Sequence, residues 1–295
     1  MAFKIAGIGE ILWDMLPGGK QLGGAPSNFA YHMQQAGFET FVVSAVGKDR
    51  DGEEIMDVLD QLQLNDSFVQ RIPYYPTGTV TVKLNPSGIP GYTIHENVAW
   101  DHIAWTDGLD ALAKEVDAVC FGSLAQRENV SRETICRFLE STNPQCLRVF
   151  DINLRQSFYT KEIIVRSLEL ANVLKINEEE LPIVAGLLGY SGNEESQLNQ
   201  LLKGYDLRLI AHTMGSGGSL LLTHEEISSC QVPEIKVTDT VGAGDAFTAV
   251  MLAGMLQNQT LKTTHKIATE VAAFVCTQNG ATPTLPREFI DKILM

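Results

Sequence analysis

The chain has 295 residues, of which 44% are hydrophobic, a fraction typical of globular proteins rather than disordered ones. Acidic residues outnumber basic residues by 36 to 22, which gives a formal charge of −14 at neutral pH. The overall field therefore repels nucleic-acid backbones and anionic membrane surfaces, so we expect neither as a partner.

The cysteines and the amino-terminal segment indicate where the protein is found. Five cysteines form no CxxC pair and no zinc-type spacing, and their odd number leaves at least one without a disulfide partner. The segment "MAFKIAGIGEILWDM" reaches Glu10 and Asp14 before any long apolar run, unlike a signal peptide. We therefore expect reduced thiols and a cytoplasmic protein.

Short apolar runs alternate with helical patterns along most of the chain. The runs "FKIAGIG", "TFVVSAVG", "DAVCFGS", "LRVFDIN", "NVLKIN" and "LRLIAHT" have the composition of buried strands. The helical patterns are Ser27–Ala36, Asp51–Leu62, Ser131–Ser141, Lys161–Ala171 and Glu194–Leu202. This alternation predicts one α/β domain over residues 1–295, a three-layer sandwich whose mostly parallel central sheet has helices on both faces.

The segment Thr77–Asp101 breaks this alternation. Its "GTVTVKL" alternates in the manner of a strand, "NPSGIPG" has turn chemistry, and "YTIHE" can return as a second strand. With an extra strand at Ile11–Leu16, it predicts a small β-lid over residues 11–22 and 77–100, above a ligand at the carboxyl ends of the parallel strands. An ordinary edge hairpin would give the same pattern.

The stretch "DTVGAGDAFTAVM" predicts a glycine-rich turn that leads into a helix. The first amide groups of a helix lack internal partners and lie at the positive end of its dipole, so Gly242, Ala243 and Gly244 can form an anion hole for phosphate. Asp245 follows directly, and it can take the proton of an alcohol during phosphoryl transfer. The alternative is that Asp245 is a plain helix cap.

Other phosphate-binding motifs are absent from the sequence. It contains no GxxxxGK[ST] loop, and "GIGEIL" has Leu12 where a dinucleotide-binding fingerprint needs its third glycine. A dinucleotide oxidoreductase is therefore disfavoured. A sugar-binding regulator remains an alternative, although such a protein should have lost the base or the anion hole.

Two stretches resemble the signatures of the ribokinase-like, or PfkB, family of ATP-dependent sugar kinases, and they occur in the expected order. "GGAPSNFAYHMQQAG" is similar to the sugar-binding motif of the family, and "DTVGAGDAFTAVML" is similar to its carboxyl-terminal motif. The resemblance implies the ribokinase-like fold, Asp245 as catalytic base and Gly242–Gly244 as the anion hole. It also implies that Asp14, Gly24 and Asn28 bind sugar hydroxyl groups, although a turn aspartate and a helix residue are the plainer readings of Asp14 and Asn28.

The resemblance also implies contacts with ATP and with metal ions. "NEEE" is similar to the NxxE element of the family, in which Glu180 would hold Mg²⁺ through water. "HTMGSGGSLL" and "TQNGATPTLP" resemble the loops that border the nucleotide. The implied nucleotide-site residues are Asn177, Glu180, Thr213, Gly215, Gly218 and Asn279. Asp239 matches a K⁺ ligand of potassium-activated members.

These elements have plainer alternatives. Glutamates that open a helix are expected from the helix dipole alone, and "HTMGSGGSLL" can be a simple hairpin turn.

The acceptor specificity is indicated by departures from the ribokinase pattern. "GGAPSN" differs from the GGKGAN of ribokinases, whereas "GEILWDMLP", "ENVAWD" and "DINLRQSFY" look most like bacterial fructokinases. The resemblance places Asn97 and Arg155 at the substrate, and an ion-pair role is the alternative for Arg155.

We therefore expect a fructokinase that converts fructose and ATP to fructose 6-phosphate and ADP. A 2-keto-3-deoxygluconate kinase, whose arginine at this position binds a carboxylate, and other sugar or nucleoside kinases remain alternatives. Some relatives dimerise through the lid, and a homodimer of this kind is a further expectation.

Overall fold

The structure, a computed structural model, describes residues 3–16, 18–84 and 90–294. The strands are β1 (Lys4–Ile8), β2 (Leu12–Leu16), β3 (Gly19–Gly23), β4 (Glu39–Gly47), β5 (Asn65–Ile72), β6 (Gly78–Leu84), β7 (Pro90–Ile94), β8 (Ala118–Phe121), β9 (Leu147–Asp151), β10 (Val173–Asn177), β11 (Leu209–Thr213), β12 (Ser219–Leu222) and β13 (Ile227–Cys230). The α-helices are α1 (Ala25–Gln35), α2 (Arg50–Gln61), α3 (Asp107–Glu115), α4 (Asn129–Ser141), α5 (Lys161–Leu170), α6 (Glu180–Leu188), α7 (Glu194–Gly204), α8 (Ala243–Leu256), α9 (Leu261–Cys276) and α10 (Arg287–Leu294).

Nine strands of the described part of the chain form the main sheet, in the order β13-β12-β11-β10-β9-β8-β1-β4-β5. The run from β11 to β5 is parallel, and β12 and β13 add an antiparallel edge. Because parallel strands end at the same edge of a sheet, the loops after β1, β9 and β10 lie together. The ribokinase-like α/β fold expected from the sequence is confirmed.

Helices cover both faces of the main sheet because its strands are apolar on both sides. On one face, α3 to α7 pack over alternate strand residues such as Phe121, Phe150 and Ile176. On the other face, α1, α8, α9 and α10 pack over the intervening residues, such as Cys120, Val149 and Val173. The side chain of any strand residue can therefore be assigned to a face from its place in this alternation.

A second sheet has the order β3-β2-β6-β7 and lies where the lid was expected. Its strands β2 and β6 are parallel, and each has an antiparallel neighbour. Val80 and Ile94 point to one face of this sheet and join the main core. Of the predicted turn "NPSGIPG", residues 85–89 lie outside the described residues.

No helix in the described ranges is long and apolar enough to cross a membrane.

Candidate active site

The amino terminus of α8 provides the amide groups of the predicted anion hole. Gly242 caps the helix with a left-handed φ of 77°, which favours glycine. A Cβ at this position would lie 2.6 Å from the Cα of Ala281, so the loop after α9 packs directly against the cap. The N–H of Ala243 makes only a long bond, of 3.4 Å, to the Thr240 carbonyl oxygen. These amides are therefore available to an anion.

Asp245 lies in the first turn of α8 and contacts the predicted sugar-binding helix. The Nδ2 group of Asn28, on α1, donates a hydrogen bond of 2.9 Å to Asp245 Oδ2. The carbonyl oxygen Oδ1 of Asn28 is buried and has no partner among the described residues. The fold thus joins the two sequence motifs that were expected to bind the sugar and to activate it.

The proton affinity of Asp245 is higher than that of an ordinary aspartate. Burial raises its pKa to about 6, and the nearby Asp151 carboxylate acts in the same direction. The hydrogen bond from Asn28 and the charges of Lys175 and Arg155 oppose this shift. Such a carboxylate is ionised at neutral pH and is still a better base than a solvated one.

A buried ion pair beneath α8 was missed in the sequence analysis. Lys175 on β10 faces Asp151 on β9 in the parallel register, and its Nζ lies 3.2 Å from Asp151 Oδ1. Thr248 of α8 donates a hydrogen bond of 2.9 Å to Asp151 Oδ2. A Cβ on Gly244 would be 3.3 Å from Lys175 Nζ, so the ammonium group lies directly below the predicted anion hole. The signal in the sequence was a lysine within the apolar run "NVLKIN".

Glu10 is a second functional candidate that the sequence analysis did not identify. It follows β1 and is only 3% exposed, and its Oε2 has no partner among the described residues. Burial raises the pKa of its carboxyl group to about 7, and the charge of Asp245 adds to this increase. The backbone N–H groups of Glu10 and Ala25 and the charge of Arg155 act against it. Glu10 therefore lies at the start of α1, close to Asp245.

The predicted sugar residues lie around these two carboxylates, with one exception. Asp14 is half-buried on β2, and burial raises the pKa of its carboxyl group, although the charge of Arg155 opposes this increase. Gly24 is the residue just before α1 and has a φ of 118°. A side chain would not fit there, because its Cβ would lie 2.4 Å from the Glu10 carbonyl oxygen. Asn97 is exposed, and its described contact is with His102. Its predicted substrate contact receives no support from this geometry.

Glu180, the expected magnesium residue, and Asn177, an expected nucleotide-site residue, form a compact turn at the end of β10. Asn177 Oδ1 accepts hydrogen bonds of 2.9 Å from the N–H groups of Glu179 and Glu180, which begins α6. The two carboxylate oxygens of Glu180 accept from the N–H groups of Leu154 and Asn177. Because both oxygens already bind backbone amides, the arrangement fits a cation held through water better than one held directly.

The other predicted nucleotide residues lie at the same edge of the main sheet. Thr213 ends β11 next to Asn177, and β11 and β12 form an antiparallel hairpin through Gly215 and Gly218. The hairpin alternative is therefore correct as a description of this stretch, and its contact with a nucleotide stays a prediction. Asn279 is exposed in the loop after α9.

Two side chains hold the loop after α9: Asp239 joins it to the loop before α8, and His32 joins it to α1. Asp239 accepts hydrogen bonds of 3.1 Å from the N–H groups of Val241 and Gly280. The buried His32 of α1 has its Nε2 3.0 Å from the Ala281 carbonyl oxygen, and burial lowers its pKa to about 4. A K⁺ site at Asp239 stays a prediction. In the part of the chain that the structure covers, no three or more His, Cys, Asp or Glu side chains cluster as metal ligands.

Comparisons with known proteins identify the family of the chain. The model of the pfkB family carbohydrate kinases matches residues 18–288. An uncharacterized sugar kinase of Pyrococcus horikoshii is 28% identical over 98% of this chain and 94% of its own. Its structure in complex with ATP aligns with a TM-score of 0.81, at 26% identity, over 99% of this chain and 100% of the other.

Two further relatives carry more specific names. A fructokinase of Salmonella typhimurium is 29% identical over 97% of both chains. An ATP-dependent 6-phosphofructokinase of Thermoanaerobacterium thermosaccharolyticum is 25% identical over 96% of this chain and 91% of its own. With the family model matched over most of its length, the chain belongs to the PfkB family of carbohydrate kinases and is an ATP-dependent kinase.

Proposed function

We propose that this kinase transfers the γ-phosphoryl group of ATP to a primary hydroxyl group of a neutral sugar, with fructose as the favoured acceptor and fructose 6-phosphate as the product. The observation that carries the proposal is the hydrogen bond between Asn28 and Asp245 beside the free amides of α8. It joins a group suited to binding a sugar hydroxyl, a base and an anion hole in one place.

Asp245 acts as the base in this mechanism. Its ionised carboxylate accepts the hydroxyl proton as the sugar oxygen forms its bond to the γ-phosphorus. The bond from phosphorus to the bridging oxygen breaks, and ADP leaves with the electron pair. The N–H groups at Gly242–Gly244 stabilise the charge on the transferring phosphoryl oxygens, a contribution of about 10²- to 10³-fold per donor by analogy with other oxyanion holes.

Lys175 supports the same step from below. Its ammonium group lies next to Gly244 and has the Asp151 carboxylate as its described partner, at 3.2 Å. The neighbouring carboxylates Asp151, Glu180 and Asp245 raise its pKa against the lowering effect of burial. Lys175 therefore stays protonated and adds a fixed positive charge beneath the anion hole.

The charges around the sugar position favour a neutral acceptor. Arg155 acts on the carboxyl groups of Glu10, Asp14 and Asp245, and Lys175 acts on Asp245 as well, so three carboxyl groups face two cationic side chains. A sugar acid or a sugar phosphate would bring another negative charge to this group, and like charges at short range are unfavourable. The name of the Salmonella relative also supports fructose.

Mg²⁺ would be held by Glu180 through water, and there it would neutralise phosphate charge. A K⁺ ion near Asp239 is also part of the proposal.

The proposal further includes a homodimer formed through the lid. Met15 and Thr93 are exposed on one face of the lid sheet, and a second lid could cover this face.

The test is a coupled assay of ADP formation with fructose, ribose, adenosine, 2-keto-3-deoxygluconate and fructose 6-phosphate as separate acceptors. We expect the highest kcat/KM with fructose. Preferred turnover of either anionic acceptor would overturn the charge argument. If no acceptor stimulates ATP use while sugars still bind, the sugar-binding regulator would replace the kinase proposal.

A further inference from the structure

Two buried oxygen atoms near the catalytic base have no hydrogen-bond donor among the described residues. They are Oε2 of Glu10 and Oδ1 of Asn28, in side chains that are 3% and 4% exposed. A buried acceptor without a partner costs about 1–3 kcal/mol, so native proteins rarely keep one without a reason. In a kinase site, a ligand that carries several hydroxyl donors removes this cost.

The packing around Glu10 places its side chain at the start of α1. Its peptide packs against Gly24, where a Cβ would meet the Glu10 carbonyl oxygen, so the loop after β1 touches the start of α1. The N–H group of Ala25, the first residue of α1, favours the charged form of the Glu10 carboxyl group, against the raising effect of burial on its pKa. Asn28 lies one turn further along the same helix and donates to Asp245. Glu10 and Asn28 thus present their free acceptors at one helix end, beside the base.

We propose that Glu10 is a further sugar-binding residue, whose carboxylate accepts a hydrogen bond from a second hydroxyl group of the acceptor while Asn28 Oδ1 accepts from another. This inference rests on the proposed sugar kinase function and deepens it. These hydrogen bonds would make the enzyme selective for acceptors that carry further free hydroxyl groups near the hydroxyl group that is phosphorylated. An analogue that lacks such a hydroxyl group leaves the buried carboxylate without a hydrogen-bond partner.

A purely structural role for Glu10 makes a different prediction. If the carboxylate serves only the N–H groups at the start of α1, its loss disturbs the loop and affects every acceptor equally. If it binds one hydroxyl group, its loss matters only for acceptors that possess that hydroxyl. A double-mutant cycle between the residue and the hydroxyl separates the two cases.

The experiment measures kcat and KM for fructose and for its 1-deoxy, 3-deoxy and 4-deoxy forms. The enzymes are the wild type, Glu10→Gln, Glu10→Ala and the control Ser44→Ala. Ser44 is buried and donates a hydrogen bond of 2.6 Å to the Gly9 carbonyl oxygen, so the control perturbs the same loop without removing an acceptor from the site. Glu10→Gln keeps the size of the side chain and an acceptor oxygen, so it should lose less on fructose than Glu10→Ala and should still depend on the same hydroxyl group. If Glu10→Ala does not fold, equal losses of Glu10→Gln on all four acceptors overturn the inference.

We expect Glu10→Ala to lose roughly tenfold to a hundredfold in kcat/KM on fructose, mainly through KM for the sugar, with KM for ATP unchanged. One deoxy analogue should cost the wild type a similar factor and cost Glu10→Ala little more. Ser44→Ala should show neither effect. An equal loss on all four acceptors, or a loss matched by Ser44→Ala, overturns the inference and leaves the kinase function intact. A wild type that phosphorylates no sugar overturns both.

Discussion

The Nδ2 group of Asn28 donates a hydrogen bond of 2.9 Å to Oδ2 of Asp245, although 217 residues separate them in the chain. The bond holds the carboxylate in place and favours its ionised form. Asn28→Ala removes both effects. We therefore expect this variant to have a weaker affinity for the sugar, and its remaining activity should depend differently on pH.

The pH dependence of the rate tests this expectation. Asp245 must be ionised to accept a proton, and its pKa is about 6, so kcat/KM of the wild type should fall below about pH 6. The groups that face Asp245 are Asn28, Asp151, Lys175, Arg155 and Glu10.

Loss of the Asn28 hydrogen bond raises the pKa of Asp245, so the acid limb of Asn28→Ala should move to higher pH. Glu10, with a pKa of about 7, is already mostly neutral where Asp245 titrates, so the limb of Glu10→Gln should stay close to that of the wild type. Profiles of kcat/KM from pH 5 to 9 measure the limbs, and an Asn28→Ala limb identical to that of the wild type would contradict the assignment of Asp245.

Asp245 should also reduce the stability of the folded protein. Its pKa in the folded state, about 6, lies above the ordinary value of 3.8, so the folded state binds more protons between these values. Stability contributed by this group therefore falls as the pH rises through that window, and the penalty is complete above it. Asp245→Asn removes the penalty, and we expect it to raise the free energy of unfolding by about 1–3 kcal/mol at pH 8. The gain should shrink at pH 4.5.

Urea unfolding at the two pH values measures this difference. Asp206→Asn, whose side chain is fully exposed, is the control and should change stability little at either pH. An Asp245→Asn variant that is less stable than the wild type at pH 8 would contradict the expectation.

Variants of the buried pair Lys175 and Asp151 separate the effect of Lys175 on stability from its effect on kcat. Lys175→Met leaves the Asp151 carboxylate without its counter-charge, a change that typically costs about 3–5 kcal/mol. The double variant Lys175→Met with Asp151→Asn removes both charges and should recover much of this loss. Its kcat should stay roughly tenfold to a hundredfold below that of the wild type, because the charge beneath the anion hole is still missing. Full recovery of kcat in the double variant would show that Lys175 serves stability alone.

Gly242 should tolerate no side chain. Gly242→Ala forces a residue with a Cβ into a left-handed conformation and brings that Cβ within 2.6 Å of the Ala281 backbone. Gly189→Ala is the matched control, since Gly189 has nearly the same φ, 76°, at the end of α6 but open space around it. Both variants should lose about 1 kcal/mol or more of stability. Gly242→Ala alone should lose kcat as well, and equal kinetics in the two variants would argue against the anion hole.

Much of this site follows from short-range patterns. The glycines before α8, the asparagine of "GGAPSN" and the turn of "NEEE" each have a local signature, and the structure brings Asn28 and Asp245 together as the motifs suggested. The alternation of strand residues was also readable, and it places Asp151 and Lys175 on the face that α8 covers.

The missed residues depend on contacts that no local pattern contains. In the sequence, Glu10 is only a charged residue in an apolar segment. It became a candidate because the folded chain buries its carboxyl group beside the start of α1, where the charge of Asp245 acts on it. His32 had no partner at metal-ligand spacing, and its role follows from the Ala281 carbonyl oxygen, 249 residues away. Asn97, by contrast, was predicted from a motif; no local pattern gave the direction of its side chain, which lies next to His102, and its substrate contact stays a prediction.

The most direct test of the account compares Asp245→Asn with the wild type in fructose-dependent ADP formation, with fructose binding followed by calorimetry. We expect kcat to fall roughly 10²- to 10⁴-fold in Asp245→Asn, as for the loss of a general base, with fructose bound by both proteins at similar affinity. A variant that keeps wild-type turnover would contradict the role of Asp245 as the base.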